Sequence, residues 1–226
     1  MPAALAALAV VIGLVAGCSS SDSADQASAE APALLQQSAQ STKALTSAHL
    51  DILVTGKIQG LPIKTLSGEL TNVPATAVSG NATITMKGVD VDIELVVIGG
   101  KLYASLSPGS WLDMGLALDI YDPSMILDPN IGLASMLNSF SDPTTQGTEK
   151  INDIETVKVT GELDPEAVNR LVPQIKATEP MPGTAWIERG GEHRLVQAMI
   201  DTGDGNSVQM TLSDWNKPVT VTKPQM

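Results

Sequence analysis

Residues 89–97 read Val-Asp-Val-Asp-Ile-Glu-Leu-Val-Val, and no other stretch restricts the fold as much. Val89, Val91, Ile93, Leu95 and Val97 alternate with Asp90, Asp92 and Glu94. A period of two belongs to a β-strand, and apolar-against-acidic alternation gives it one dry face and one wet face. A parallel sheet, buried on both faces, does not suit such a strand; an antiparallel sheet covered on one side does. Gly99-Gly100 then predicts a tight hairpin, with Leu102, Ala104 and Leu106 on the return strand. Leu50, Ile52 and Val54 repeat the pattern upstream, as do Ile84 and Met86.

Helical signals are set apart from these strands. Pro32 suits a helix N-terminus, and Leu34, Leu35, Ser38, Ala39, Thr42 and Leu45 fall on one face of a helix over residues 32–45. Alternation stops between Leu112 and Phe140, where Asp122-Pro123 and Asp128-Pro129 read as helix starts. Strand patterns return at residues 154–163. Asp164-Pro165 opens a short helix, and residues 184–188, 194–201, 207–215 and 219–222 complete a meander. Segregated helices and an antiparallel sheet predict an α+β fold in one domain, residues 32–226. A curved sheet with helices on its concave face has room to enclose a hydrophobic cavity. Its wall candidates on strands are Ile84, Met86, Val89, Val91, Ile93, Leu95 and Val97. The helical stretch adds Met125, Ile126, Leu133, Met136 and Leu137. A slip of one residue in the inward face would invert the strand set. A filled core is the plain alternative.

The N-terminus fixes the expected compartment. Residues 3–15 are apolar or Gly, too short for a spanning helix, which needs about 20 apolar residues. They fit the hydrophobic part of a signal peptide, residues 1–17. Leu14-Val15-Ala16-Gly17-Cys18 resembles a bacterial lipobox, with Cys18 as the acylated first residue of the mature chain. No basic residue precedes it. Acylation by two or three chains anchors stably. Residues 18–31, rich in Ser, Ala and Asp, read as a flexible tether with a reach of roughly 20 Å. The expected location is therefore the cell membrane, on its extracytoplasmic side, or the cell wall beyond.

Net charge is −12, from 25 acidic and 13 basic residues, which argues against a nucleic-acid partner. One cysteine excludes a disulfide framework, and two histidines leave little for a metal centre; no cofactor is expected. No GxSxG, HExxH or phosphate-binding loop occurs. Gly203-Asp204-Gly205 sits between strands and reads as a turn. Asp201-Thr202-Gly203 echoes an aspartic protease, but that chemistry needs a second carboxylate partner and no second copy exists. Asp90, Asp92 and Glu94 read as a solvated face. What stands out is apolar content, 43% hydrophobic with only 3% aromatic. Aliphatic and Met surfaces suit acyl chains.

Several stretches resemble the mycobacterial lipoprotein family of LppX, LprA, LprF and LprG, and its LprG members most of all. They are Thr42-Lys43-Ala44-Leu45, Ser47-Ala48-His49, Lys64-Thr65-Leu66-Ser67-Gly68 and Asp119-Ile120-Tyr121-Asp122-Pro123. Gly132-Leu133-Ala134, the nine residues from Gly205 to Ser213, and Val221-Thr222-Lys223-Pro224 continue the match. The resemblance implies a half-barrel antiparallel sheet, with helices on its concave side and a large hydrophobic pocket. It implies binding of triacylated phosphatidylinositol mannosides, lipoarabinomannan-type lipoglycans and triacylglycerol, and a major-facilitator exporter as partner.

Three functions follow. A non-enzymatic lipid carrier requires an apolar site. An assembly lipoprotein that partners a transporter, without cargo, requires a filled core. An envelope hydrolase requires His49 or His193 beside a nucleophile.

Overall fold

The half-barrel is two meanders joined at their first and last strands. The computed structural model describes residues 20–226, with side chains from residue 29 onward. Cys18, the signal peptide and the start of the tether lie outside the described residues. The first meander holds β1 (Ser47–Thr55), β2 (Ile63–Thr71), β3 (Ala77–Met86), β4 (Val89–Ile98), β5 (Lys101–Ser105) and β6 (Trp111–Leu116). The second holds β7 (Phe140–Ile151), β8 (Ile154–Leu163), β9 (Met181–Glu188), β10 (Leu195–Gly203) and β11 (Asn206–Ser213). β1 pairs with β11, giving one sheet of 11 strands in the order β6-β5-β4-β3-β2-β1-β11-β10-β9-β8-β7. β6 and β7 stay unpaired with each other, so the barrel is open along one side. Residues 117–139 must therefore travel from one edge of the sheet to the other, and this crossing carries the short helices.

Among the described residues three α-helices lie on one face. They are α1 (Ser20–Lys43), α2 (Leu133–Leu137) and α3 (Pro165–Leu171). α1 packs on β7, β9, β10 and α2. The face read from its sequence is the buried one: Leu35, Ser38, Ala39 and Thr42 are buried, with Ala31 beside them. Leu34 packs at the margin and Leu45 is buried just beyond the helix end. The start differs from expectation. Helix begins at Ser20, not Pro32, so the part of residues 18–31 described here is helical rather than an irregular tether. Residues 20–31 contain neither Gly nor Pro and are rich in Ala, which favours helix. Pro32 removes only one backbone donor, and Ala31 and Leu35 on either side of it are packed.

The capping signals are resolved unequally. Asp164 caps α3, accepting from the backbone N–H groups of Glu166 and Ala167. Asp122 accepts from Ser124, but only a 3-10 turn follows, Pro123–Met125. Asp128 accepts from Asn130 and Ile131, and the α-helix waits until Leu133. Gly132 explains the delay: a Cβ there would lie 2.3 Å from the Met125 carbonyl oxygen and 2.4 Å from that of Ile126. The crossing segment thus doubles back on itself just before α2. Residues 219–222, read as a final strand, are irregular. Both neighbours of β11 are already taken, so a further strand cannot extend the meander beside it. The C-terminal stretch runs along the other face instead. Ser47 Oγ donates to the Lys217 carbonyl at 2.6 Å, and Lys223 Nζ sits 5.5 Å from the Tyr103 ring centre.

Candidate functional site

Register settles which face of each strand looks toward the helices. Val97 and Leu95 pack with Val78, Leu102 and Leu70 in the helix-side core. The odd-numbered residues of β4 therefore point inward, as alternation predicts, and the acidic ones point out. Asp90 bonds Lys64 Nζ at 2.6 Å and accepts from Thr85; Asp92 accepts from Thr83 at 2.7 Å. Both acidic side chains are exposed.

The wall candidates divide into two groups. Val97, Ile126, Leu133, Met136 and Leu137 are buried in the main core, which also holds Leu163 and Val168. Ile84, Val91, Ile93, Leu95 and Met125 are half-buried, Met86 is 49% exposed and Val89 is 65% exposed. The helices thus fill one half of the concave face. The open ends of β3 and β4 remain uncovered.

That uncovered strip is continuous. Ile63 pairs with Ile84, Ile84 with Val91, and Met86 with Val89. Ile63 also packs on a small cluster of Val54, Ile58 and Val208, together with Leu61 and Ile175. At about 4.8 Å per strand, the apolar row from the buried Val208 and Val54 through the half-buried Ile63, Ile84 and Val91 is about 19 Å long. A cleft of about 630 Å³ opens at its β1 end, between Ile58–Gly60 and Pro173–Lys176. Sequence reasoning missed the apolar residues of β6, at the edge of the concave face. Leu112 on β6 lies opposite Ala104, and Met114 follows it on the same face; both are exposed. Their signal is the alternation in Trp-Leu-Asp-Met, which Gly115 cuts short. Deeper in, Gly68 and Gly80 face one another, and a Cβ on Gly80 would stand 2.4 Å from the Ser67 carbonyl oxygen. These two glycines let β2 and β3 approach with no side chain on the floor of the concave face.

A second constellation lies on the outer face. His49 Nδ1 is 2.7 Å from Glu69 Oε1, and its Nε2 is 3.2 Å from Ser67 Oγ. The hydrolase reading required a histidine beside a hydroxyl, and His49 meets that condition. Two carboxylates dominate its electrostatics. Asp51 also stands 3.5 Å from Nε2. Partial burial works against the charged ring, but the hydrogen bond and charge of Glu69 and the charge of Asp51 outweigh it and raise the His49 pKa. In its protonated form the ring donates from both nitrogens, and in that form it accepts no proton from Ser67. His193, by contrast, sits in the β9–β10 connection with its ring against the Glu188 carbonyl at 3.1 Å. Among the described residues no group of three or more His, Cys, Asp and Glu is placed to hold a metal ion.

The His49 network makes a pH prediction. A folded pKa above the ordinary 6.5 means the network's stabilisation is complete below pH 6.5 and fades as pH rises through the folded pKa. Titration of the His49 ring by NMR is expected to give a midpoint above 6.5. Glu69→Gln is expected to lower it, and an unchanged midpoint in that variant would remove Glu69 as the cause.

The comparisons with known proteins agree with one another. The family model described as LppX_LprAFG lipoprotein matches residues 30–221. The lipoarabinomannan carrier protein LprG of Mycobacterium leprae is 47% identical over 226 residues, covering 99% of this chain and 95% of that one. Its counterpart in Mycolicibacterium smegmatis is 49% identical, covering 97% and 94%. Among solved structures, LprF from Mycobacterium bovis superposes with a TM-score of 0.80 at 33% identity, covering 87% of this chain and 97% of that one. Mycobacterium tuberculosis LppX gives 0.68 at 30% identity, covering 86% and 99%.

Proposed function

The chain belongs to the LppX, LprA, LprF and LprG lipoprotein family, and from that premise we propose that it is a non-enzymatic carrier of acylated envelope lipids and lipoglycans. Its cargo class is that of triacylated phosphatidylinositol mannosides, lipoarabinomannan and triacylglycerol. Cys18 carries the lipid anchor, which keeps the domain on the extracytoplasmic side of the membrane. A major-facilitator exporter in that membrane supplies or receives the cargo.

The observation that carries this reading is the uncovered apolar strip on the concave face. It runs from Ile63 through Ile84 and Val91 to Val89 and Met86, with the buried cluster of Val54, Ile58 and Val208 at its β1 end. A strand face this apolar and this exposed needs a cover, and a hydrocarbon tail is a matching one. Each CH₂ left in water costs about 0.8 kcal/mol, so a 16-carbon tail costs on the order of 13 kcal/mol. A carrier that shields part of that tail removes a proportional part of the barrier to leaving a bilayer. No chemistry is needed. The buried group from Ile126 to Leu137 serves as the packed floor behind the strip, and the cleft beside Ile58 and Ile175 as the entry for a tail. The assembly reading, a lipoprotein without cargo, draws on the same packed core but leaves the strip without a purpose.

The test is direct. The full chain, expressed in a mycobacterial host and extracted from its membranes, is expected to release diacylated or triacylated glycolipid in near-stoichiometric amount on mass spectrometry of its organic extract. The carrier reading fails if the native protein is empty and the delipidated protein takes up none of these lipids. Turnover of a glycolipid ester that disappears on His49→Gln would favour the hydrolase instead.

A further inference from the structure

The outer face of the first meander carries a polar furrow that the acyl site does not use. Register aligns Ser67 on β2, Asn81 on β3, Glu94 on β4, Ser105 on β5 and Trp111 on β6 in one straight row. Four strand steps of about 4.8 Å make it about 19 Å long. A cavity of about 350 Å³ opens over the row, flanked by Thr65, Thr83 and Asp92 and walled by Leu106, Ser107 and Pro108.

The chemistry of the furrow selects its ligand. Its lining holds hydroxyls, one amide and two carboxylates beside Ala82, Ile93, Leu106 and Pro108, and neither Lys nor Arg. That set repels an anion, and the apolar side chains beside it suit the faces of sugar rings. Asn81 and Glu94 are exposed, and neither side chain bonds to another described residue. They are a free donor–acceptor pair on adjacent strands, directly opposite each other. Trp111, beyond the cavity lining, ends the row as a half-buried residue, and an indole is a surface on which the face of a pyranose can stack. Neutral polyols match such a pattern, since every hydroxyl both donates and accepts. We propose that this furrow binds a neutral oligosaccharide chain, several sugars long, through Asn81 and Glu94 with Trp111 as its stacking platform. The furrow meets the concave face at the β5–β6 turn, because Leu106 continues the inward side of β5 while lining the cavity. A lipoglycan is then held twice, tails inside and sugars outside. This step adds to the carrier reading but stands on the outer face alone.

The experiment uses the full chain in lipid nanodiscs and a linear manno-oligosaccharide without any acyl group. NMR is expected to show saturable shifts at the amides of Asn81, Glu94, Ser105 and Trp111, and Glu94→Ala or Trp111→Ala is expected to weaken binding roughly ten-fold. Acyl loading of both variants, measured by mass spectrometry, is expected to stay at the wild-type level. The proposal is overturned by the absence of shifts, by shifts confined to the concave strip, or by equal shifts with calcium alone. Sugar binding by an unmodified chain that loads no lipid would sink the carrier reading and leave the furrow intact.

Discussion

Truncating Leu133 to alanine is expected to destabilise the fold by about 2–5 kcal/mol, more than any single change on the sheet surface. Leu133 is 1% exposed and opens α2, at the point where the crossing segment turns back onto the core. Its backbone N–H donates to the Ile126 carbonyl at 3.0 Å, so the main chain there is tied to the loop before it. α1 packs on one side of α2 and α3 on another. The hole left by a shortened Leu133 cannot close, because Gly132 beside it already lies against the carbonyls of Met125 and Ile126. The expected drop in Tm is roughly 5–20 °C for a domain of this size. Leu106→Ala, at an exposed position on the sheet rim, is expected to stay within about 0.5 kcal/mol of the parent. Chemical denaturation of both variants checks the contrast. A loss below about 1 kcal/mol for Leu133→Ala would mean that the helical crossing is a loose cover and not part of the core.

Much of this architecture can be read from periodicity, and the misses have physical causes. β4 is long, strictly alternating and bounded by Gly99-Gly100, so its face and its hairpin both follow from the residues. α3 is announced by Asp164-Pro165 because an Asp cap needs nothing beyond its own neighbours. β7 is different. Pro143 and Gly147 interrupt it, and its pairing with β8 shifts register between Ser141 and Thr144 and again between Thr145 and Thr148. An edge strand with two irregularities has no period to detect. The early start of α1 shows tertiary structure overriding a local rule, since Pro32 is tolerated next to the packed Ala31 and Leu35.

The site was half legible for a related reason. Hydrophobic identity marks Leu133, Met136 and Leu137 as hidden from water, but it does not distinguish core from ligand wall. Only packing separates them from Val89 and Met86, which share their chemistry and are exposed. The outer furrow had no signal of its own. Ser67, Asn81, Glu94, Ser105 and Trp111 are scattered along the chain, and register alone brings them together.

Val91→Asp is expected to cut acyl loading on the order of 100-fold while leaving the fold intact. Val91 is half-buried and points inward between Ile84 and the open end of the strip. In the empty protein a carboxylate there stays hydrated, so the stability cost is small. Once a hydrocarbon tail lies across β4, that carboxylate must give up water with no cation near it. Uncompensated burial of this kind costs several kcal/mol, and each 1.4 kcal/mol is a factor of ten in loading. The adjacent substitution Asp92→Val provides the internal control. It is one residue away, but alternation turns it to the outer face, where Thr83 bonds it. Removing that exposed charge is expected to leave loading unchanged. Lipid stoichiometry by mass spectrometry and transfer between vesicles measure both variants, with Tm as the check on folding. Normal loading in Val91→Asp would remove the strip as the acyl site. Loss in Asp92→Val alone would place the tail on the opposite side of the sheet.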